Sequence, residues 1–441
     1  MQVTNCLFFG FVCLVLLAYW TAPLRARIPL LLVASYFWYA SLDPRYLPLL
    51  VIATLVDFFV ARAMARRPHS SRTLLFFSLA VNLGILGAFK LSPLQAPLGV
   101  SFYTFHSLSY VFDVYRRRIP AESSLLKYSL FVSFFPKLQA GPIERFESFS
   151  GSLEARPPFR IEWLETGIAL TVFGLFLKLV VGDSLSLLVA KAFDGPARPD
   201  LALLGVYAYS AQIYADFLGY TLIARGVAQC FAIPLDRNFH HPYLATSPRD
   251  FWRRWHSSLS FWFRDYVYIP LGGGRSHWLR NALLTMVIAG AWHGASVKFL
   301  LWGIYHGIFL VIGVGIERVA APRIADWSRG MKAAARSLAW FATLQVSCFG
   351  WIFFRAASVG SAWDYLLAIF RGGVPAKGDI LYFLLFLAPW ALAGAALRGT
   401  GALPIPPFLR KSCFALTAGA CFLVILILGD PVAVPFIYFK F

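Results

Sequence analysis

Two histidines stand where polar residues interrupt apolar sequence. His256 follows the run Arg-Arg-Trp and precedes two serines. His293 is flanked by Gly290 and Gly294, which allow the backbone to unwind or to pack closely. An imidazole held against apolar surface is a candidate general base, because its neutral form can take a proton from a hydroxyl that attacks a thioester. We therefore predict one polar site, built around His256 and His293.

Each histidine also has a purely structural interpretation. His256 fits an interfacial helix whose tryptophans lie at headgroup depth and whose arginines face phosphates. His293 fits a hydrogen bond between packed helices. His306 falls about 140 degrees from His293 around the same predicted helix, so we expect a structural role for it.

The residues from Asp250 to Tyr266 are predicted to form one helix, with Ser247 or Asp250 as its N-terminal cap. At about 100 degrees per residue, its aromatic face comprises Trp252, Trp255, His256, Leu259, Trp262, Phe263 and Tyr266. The opposite face comprises Arg253, Arg254, Ser257, Ser258, Arg264 and Asp265. His256 is therefore expected on the aromatic face, with arginines nearby.

Signatures of several enzyme classes are missing from the sequence. HExxH, GxxxxGK[ST] and GxSxG motifs do not occur, which removes the usual support for metalloprotease, P-loop and serine hydrolase chemistry. Six cysteines lie in apolar runs without CxxC spacing, so we expect them to pack in the core and predict no metal site. Acyl transfer and proton-coupled transport both remain open.

The elements that position these residues must lie largely in lipid. Hydrophobic residues make up 59% of the 441 positions and charged residues 14%, which is too little polar surface to coat a soluble globule of this size. The apolar runs lack the alternation of barrel strands, so we predict an all-α protein of about ten to twelve spanning or re-entrant helices. No repeat or polar linker divides the chain, which predicts one membrane domain over residues 1–441.

The net charge is +19, and the basic residues lie mostly in the short predicted loops between apolar runs. Basic residues dominate the first and third loops, and the second is balanced; the residues concerned are Arg25 and Arg27, then Asp43 and Arg45, then Arg62, Arg66, Arg67 and Arg72. This pattern predicts lipid headgroups as partners and no nucleic acid. The positive-inside rule places the N-terminus outside, with the first apolar segment retained as a span.

Several sequence blocks resemble the signatures of the membrane-bound O-acyltransferase (MBOAT) family. They are Phe134-Phe-Pro-Lys-Leu-Gln-Ala-Gly-Pro-Ile143, Phe251-Trp-Arg-Arg-Trp-His-Ser-Ser-Leu-Ser260 with Arg264-Asp-Tyr-Val-Tyr-Ile-Pro-Leu-Gly-Gly273, and Ala291-Trp-His-Gly-Ala-Ser296. The run from Gly99 to Tyr115 is similar to the bacterial branch that contains the alginate O-acetyltransferase membrane subunit. Together the blocks define a signature core at about residues 99–307.

The resemblance implies a fold with a central funnel and an acyltransferase activity in a bacterial inner membrane. It implies that His293 is the catalytic histidine and that His256 shares the proton or positions the donor. The acyl group would be acetyl, with acetyl-CoA as the donor substrate and no bound cofactor. A periplasmic partner of SGNH-hydrolase type, with a Ser-His-Asp site, would complete transfer to a polysaccharide.

The remaining candidate site residues surround the two histidines or lie in the first block. Arg253, Arg254 and Arg264 are candidates for donor phosphates or lipid headgroups. Further substrate-binding candidates are Trp255, Asp265, Trp292, Ser296, Lys137 and Gln139. The rival within the same resemblance is the D-alanyl transfer protein of teichoic acid synthesis, which receives its acyl group from a carrier protein.

Overall fold

The structure is a computed structural model that describes residues 3–91, 97–155, 157–324, 327–388 and 407–428. Throughout these ranges the regular elements are helices, and no β-strand occurs among them. The prediction of an all-α protein is confirmed.

The helices are connected mostly by short turns. In chain order they are α1 Cys6–Thr21, α2 Leu24–Leu42, α3 Leu47–Arg66, α4 Ser71–Lys90, α5 Val100–Tyr115, α6 Leu125–Ser133, α7 Phe135–Leu138, α8 Phe146–Ala155, α9 Ile161–Leu175, α10 Asp183–Phe193, α11 Pro199–Cys230, α12 Pro248–Arg254, α13 Ser257–Phe263, α14 Trp278–His293, α15 Val297–Ile324, α16 Arg329–Arg355, α17 Val359–Arg371, α18 at 377–388 and α19 Pro407–Leu428. Wider π-helical turns occupy Phe176–Gly182 and Arg264–Tyr268.

Six helical segments among the described residues are long and apolar enough to cross a membrane. They are Pro44–Arg66, Pro68–Lys90, Ile161–Phe193, Pro199–Cys230, Val297–Ala320 and Arg329–Arg355. Shorter apolar helices cover Cys6–Thr21 and Ala418–Ile427. The protein is therefore a polytopic membrane protein, and the count of ten to twelve spanning or re-entrant segments stays a prediction.

The contacts group the chain into two compact units, of which the first comprises Met1–Leu175 and Gly219–Asp236. Its membrane helices α3 and α4 are joined by a buried polar contact. The Asp57 carboxylate accepts hydrogen bonds from Ser78 Oγ at 2.6 Å and from Asn82 Nδ2 at 2.9 and 3.0 Å. A carboxylate in lipid requires such donors, so this contact fixes α3 against α4.

The second unit comprises Phe176–Leu218 and Arg237–Phe441. Its helices α14 and α15 pack closely because Gly290 carries no side chain; a Cβ there would collide with the Phe299 carbonyl oxygen. A buried ion-pair triad lies in the same unit. Lys178 Nζ is 2.5 Å from Asp183 Oδ1 and 2.8 Å from Asp216 Oδ1.

Two helix predictions around the histidines were wrong. The segment 250–266 is not one helix, because the chain turns at Trp255 and His256, between α12 and α13. His306 lies on α15 whereas His293 ends α14, so the two do not share a helix.

Other expectations were wrong at the level of single residues. Arg25 and Arg27 lie in the first turn of α2 instead of a loop. Cys6 and Cys13 are exposed, although we expected them in the core, whereas Cys230, Cys348 and Cys421 are buried. The side chain of Cys413 lies outside the described residues.

Candidate active site

His256 sits at a sharp turn between two short helices. Helix α12 begins at Pro248 with Ser247 as its cap, whose side chain accepts from the Asp250 backbone N–H. The φ angle of His256 is 41°, in the left-handed region that costs a residue with a side chain about 1–3 kcal/mol. Backbone bonds hold this turn: Ser257 N–H donates to the Asn238 carbonyl at 2.8 Å, and His240 N–H donates to the Arg254 carbonyl at 3.0 Å.

The His256 side chain is buried against Asn238 and Phe217. Its Nδ1 atom lies 3.3 Å from Asn238 Oδ1, and its ring meets Phe217 edge-on at 4.6 Å between centroids. His256 lies outside the six membrane-spanning helices, and burial lowers the pKa of its imidazole to about 3. The ring is therefore neutral at physiological pH, which is the form a proton acceptor needs.

His293 lies at the C-terminal end of α14, where the helix stops. Gly294 follows in an extended conformation and α15 begins at Val297, so the glycine-flanked break predicted here is present. Aromatic rings enclose the imidazole: centroid distances are 4.6 Å to Trp292, 5.0 Å to Trp302 and 4.9 Å to Phe354. This packing fixes the plane of the ring.

His293 also forms part of the wall of a cavity of about 400 Å³. The wall is built from α12 to α15 and the turn before α14, and its lining includes the predicted residues Arg253 and Arg264. Two further arginines, Arg249 and Arg318, line it without having been predicted. A cavity of this size accommodates a small organic group next to the histidine.

The four arginines differ in whether the protein itself provides a partner for their positive charge. Arg249 forms an ion pair with Glu317, and Arg264 Nε lies 2.7 Å from Asp265 Oδ1. The Arg318 guanidinium stacks over the Trp278 ring at 4.2 Å. Arg253 is exposed and has no ion-pair partner in the described part of the chain. The cavity wall therefore has at least one cation available for an anionic ligand.

The structure does not bring every predicted residue to this cavity wall. Arg254 is bound to Asp250 at 2.8 Å, and Trp255 is buried on Trp351 with ring centroids 4.7 Å apart. The described residues that line the cavity do not include Arg254, Trp255, Trp292, Ser296, Asp265 or His256. Trp292 contacts the ring of His293 directly. Asp265 forms an ion pair with Arg264, which lines the cavity. Ser296 is exposed between α14 and α15.

Lys137 and Gln139 belong to the first unit. Lys137 is fully buried, with Nζ 4.2 Å from the ring centre of Phe131 and 4.5 Å from that of Phe149. Burial lowers the pKa of Lys137 and raises that of the neighbouring Glu144. Gln139 borders a space of about 10 Å³, which is enough for one water molecule. Their substrate-binding role stays a prediction.

The sequence patterns did not identify Asn238, Arg249, Arg318 or Trp302 as site residues. Asn238 stands in the polar stretch Asp236-Arg-Asn-Phe-His-His241, and that polarity so close to long apolar runs was the signal available for it. The other three lie far apart in sequence and carry no motif. Only the packing of α12, α14 and α15 identifies them.

The chain is similar to known membrane-bound O-acyltransferases. The family model described as MBOAT, membrane-bound O-acyltransferase family, matches residues 33–353. A probable alginate O-acetylase AlgI of Azotobacter vinelandii is 34% identical over 400 residues, covering 84% of this chain and 78% of the relative. A peptidoglycan O-acetyltransferase of Helicobacter pylori is 33% identical, with coverage of 84% and 78%. A teichoic acid D-alanyltransferase of Bacillus subtilis is 30% identical, with coverage of 48% and 58%.

Proposed function

This chain belongs to the membrane-bound O-acyltransferase family and is an O-acyltransferase, and we propose that it moves an acetyl group from a cytoplasmic thioester toward the hydroxyls of an extracytoplasmic polysaccharide. One observation carries the proposal most directly: His293 forms part of a cavity wall that also bears arginines. A base and cations around one space suit a reaction between a hydroxyl and a phosphate-bearing thioester.

His293 acts as the general base in this proposal. It takes the proton from the acceptor hydroxyl while that oxygen attacks the carbonyl carbon of the thioester. The carbon–sulfur bond then breaks, and His293 returns the proton to the leaving sulfur. General base catalysis of this kind contributes about 10²–10⁴-fold to a rate.

His256 supports the transfer from the turn between α12 and α13. Leu259 and Ser260 follow it in α13 and line the cavity. Because Asn238 Oδ1 accepts a hydrogen bond from Nδ1, the Nε2 atom of the neutral ring carries the lone pair. In this proposal Nε2 shares the transferred proton or positions the acyl donor.

Acetyl-CoA is the donor in this proposal. Its phosphates require cations, and Arg253 offers one that has no ion-pair partner among the described residues. In this proposal Arg264 and Arg249 also bind the phosphates, and each forms an ion pair with one carboxylate of the protein. No bound cofactor is required, because the thioester supplies the activated acyl group.

The relatives favour acetyl over D-alanyl as the transferred group. The two acetyl-transferring relatives match 84% of the chain, whereas the teichoic acid D-alanyltransferase matches 48%. Family membership also favours acyl transfer over the proton-coupled transporter. D-alanyl transfer from a carrier protein remains the second candidate, because that match is itself substantial.

The setting of the reaction is part of the proposal. We place the chain in the bacterial inner membrane with its N-terminus outside and lipid around its apolar surface. A periplasmic partner of SGNH-hydrolase type receives the acetyl group and passes it to the polysaccharide.

The experiment that tests the proposal is reconstitution of the full chain in vesicles with a periplasmic acyltransferase of SGNH-hydrolase type, a polysaccharide, and acetyl-CoA labelled in its acetyl group. We expect labelled ester on a polysaccharide acceptor without any carrier protein. Transfer that requires a phosphopantetheinylated carrier loaded with D-alanine would instead support the second candidate. A vesicle that moves substrate without forming an ester would contradict acyl transfer altogether.

A further inference from the structure

Two tryptophans in the cavity wall carry indole N–H groups that the protein does not satisfy. Trp302 and Trp252 both line the cavity that contains His293. Their Nε1 atoms are buried, and neither has a hydrogen-bond acceptor within the described part of the chain. A buried donor without an acceptor costs about 1–3 kcal/mol, and an acceptor atom on a bound substrate would remove that cost at both indoles.

Trp302 is fixed at right angles to the catalytic histidine. Its ring centroid lies 5.0 Å from that of His293, with an interplanar angle of 84°. Trp252 stands edge-on to Trp302 at 5.6 Å and 87°. Trp302 is 1% exposed and packs on Trp351 and Phe354, so its orientation does not depend on a ligand.

The chemistry of acyl transfer supplies the acceptor that these groups lack. When a hydroxyl attacks a thioester, the carbonyl oxygen becomes an oxyanion, and pre-positioned N–H donors lower the energy of that state. An indole N–H is a donor only, so it cannot compete with the histidine for the proton. Donors and base must also stand close together, because both act on one carbonyl group.

We propose that the indole N–H groups of Trp302 and Trp252 bind the carbonyl oxygen of the acyl group while His293 handles the proton. Trp302 is the principal donor, because it contacts His293 directly. When the carbon–sulfur bond breaks, the electron pair of the oxyanion re-forms the C=O double bond, and the bonding pair leaves with the sulfur, which takes the proton from His293. The indoles stay neutral throughout. This inference rests on the proposed acetyl transfer.

The test uses the full chain in vesicles with acetyl-CoA, a periplasmic acyltransferase of SGNH-hydrolase type and a polysaccharide acceptor. Trp302 is replaced by 3-benzothienylalanine, which keeps the shape of the ring system and lacks the N–H, and in a second variant by Phe. We expect kcat to fall about 100-fold with the isostere, while KM for acetyl-CoA changes less than about threefold. Trp252→Phe should cause a smaller fall of the same kind.

The control is Trp351→Phe. Trp351 belongs to the same aromatic cluster, but its indole N–H already donates to the Tyr243 hydroxyl at 3.2 Å. Its removal should leave kcat within a few-fold of the wild-type value, because that donor is not offered to a substrate. A loss of kcat in this control as large as in the Trp302 variants would show that packing alone is being measured, and would overturn the proposal.

Two further outcomes separate this inference from the proposed function. If the wild type transfers acetyl, His293→Ala does not, and the Trp302 isostere keeps full kcat, the indole assignment is wrong and the proposed function stands. If the wild type forms no acetyl ester and His293→Ala behaves identically, the proposed function fails and the indole assignment fails with it.

Discussion

The side chains of His256 and Asn238 form a buried pair in which the histidine Nδ1 atom lies 3.3 Å from the amide Oδ1 atom. The same oxygen accepts a hydrogen bond from Ser258 Oγ at 2.6 Å. Because an amide oxygen only accepts, the proton of His256 resides on Nδ1. The pair therefore selects one tautomer of the ring.

Replacing Asn238 should change how activity depends on pH. A carboxylate in Asn238→Asp would favour the protonated ring and raise the pKa of His256 from its depressed value. Activity should then be lost as pH falls through the new pKa, whereas the wild type keeps a neutral His256 down to about pH 5. The measurement is kcat from pH 5 to pH 8, with Asn238→Ala as the uncharged comparison. Identical profiles for Asn238→Asp and the wild type would show that His256 takes no part in the proton transfer.

Arg253 and Arg254 are adjacent in sequence but differ in their environment. Arg253 lines the cavity, whereas Arg254 is bound to Asp250. Loss of a charge-assisted hydrogen bond costs about 1.5–3 kcal/mol, so Arg253→Ala should raise KM for acetyl-CoA about tenfold or more. Arg254→Ala should leave KM close to the wild-type value. Equal KM values for both variants would remove Arg253 from the donor site.

Lys178 should be far more important for stability than an exposed lysine. Its removal in Lys178→Met leaves the carboxylates of Asp183 and Asp216 buried together, which costs about 3–5 kcal/mol. Lys191 makes a comparable pair with Asp379 at 2.6 Å but is half exposed, and such pairs contribute about 0–1 kcal/mol. The apparent Tm in detergent should therefore fall markedly for Lys178→Met and hardly for Lys191→Met. Equal Tm values would mean that the triad does not stabilise the protein.

The close packing of α14 on α15 can be tested with a pair of glycines. In Gly290→Ala the added methyl group meets the Phe299 carbonyl oxygen, and such overpacking costs about 1–3 kcal/mol. Because Gly290 lies one turn before His293, the variant should lose kcat as well as stability. Gly315→Ala, with nothing within 4 Å of the new atom, should be neutral or slightly stabilising. Indistinguishable variants would contradict the packing described here.

Patterns local in sequence predicted much of this structure. The all-helical membrane fold followed from composition and from the lack of alternation, and the Ser247 cap is present as expected. The break after His293 could be predicted because Gly290 and Gly294 flank the histidine and glycine tolerates such a change in backbone conformation.

Long-range contacts account for what the sequence did not reveal. The turn at His256 has no glycine to indicate it, and it is maintained by bonds from the loop that contains Asn238. Ser257 was predicted on the polar face, yet it is buried because its hydroxyl donates to the Arg237 carbonyl at 2.6 Å. The role of Trp302 depends on the meeting of α12, α14 and α15, which periodicity cannot predict.

The most direct test of the account is O-acetylation of the extracytoplasmic polysaccharide in cells that lack the native protein. The cells are complemented with the wild type, His293→Ala, His256→Ala or the exposed-histidine control His69→Ala, at matched abundance in the membrane. We predict that His293→Ala abolishes acetylation, that His256→Ala reduces it strongly, and that His69→Ala equals the wild type. Full acetylation without His293 would contradict its assignment as the base and would leave His293 with a structural role.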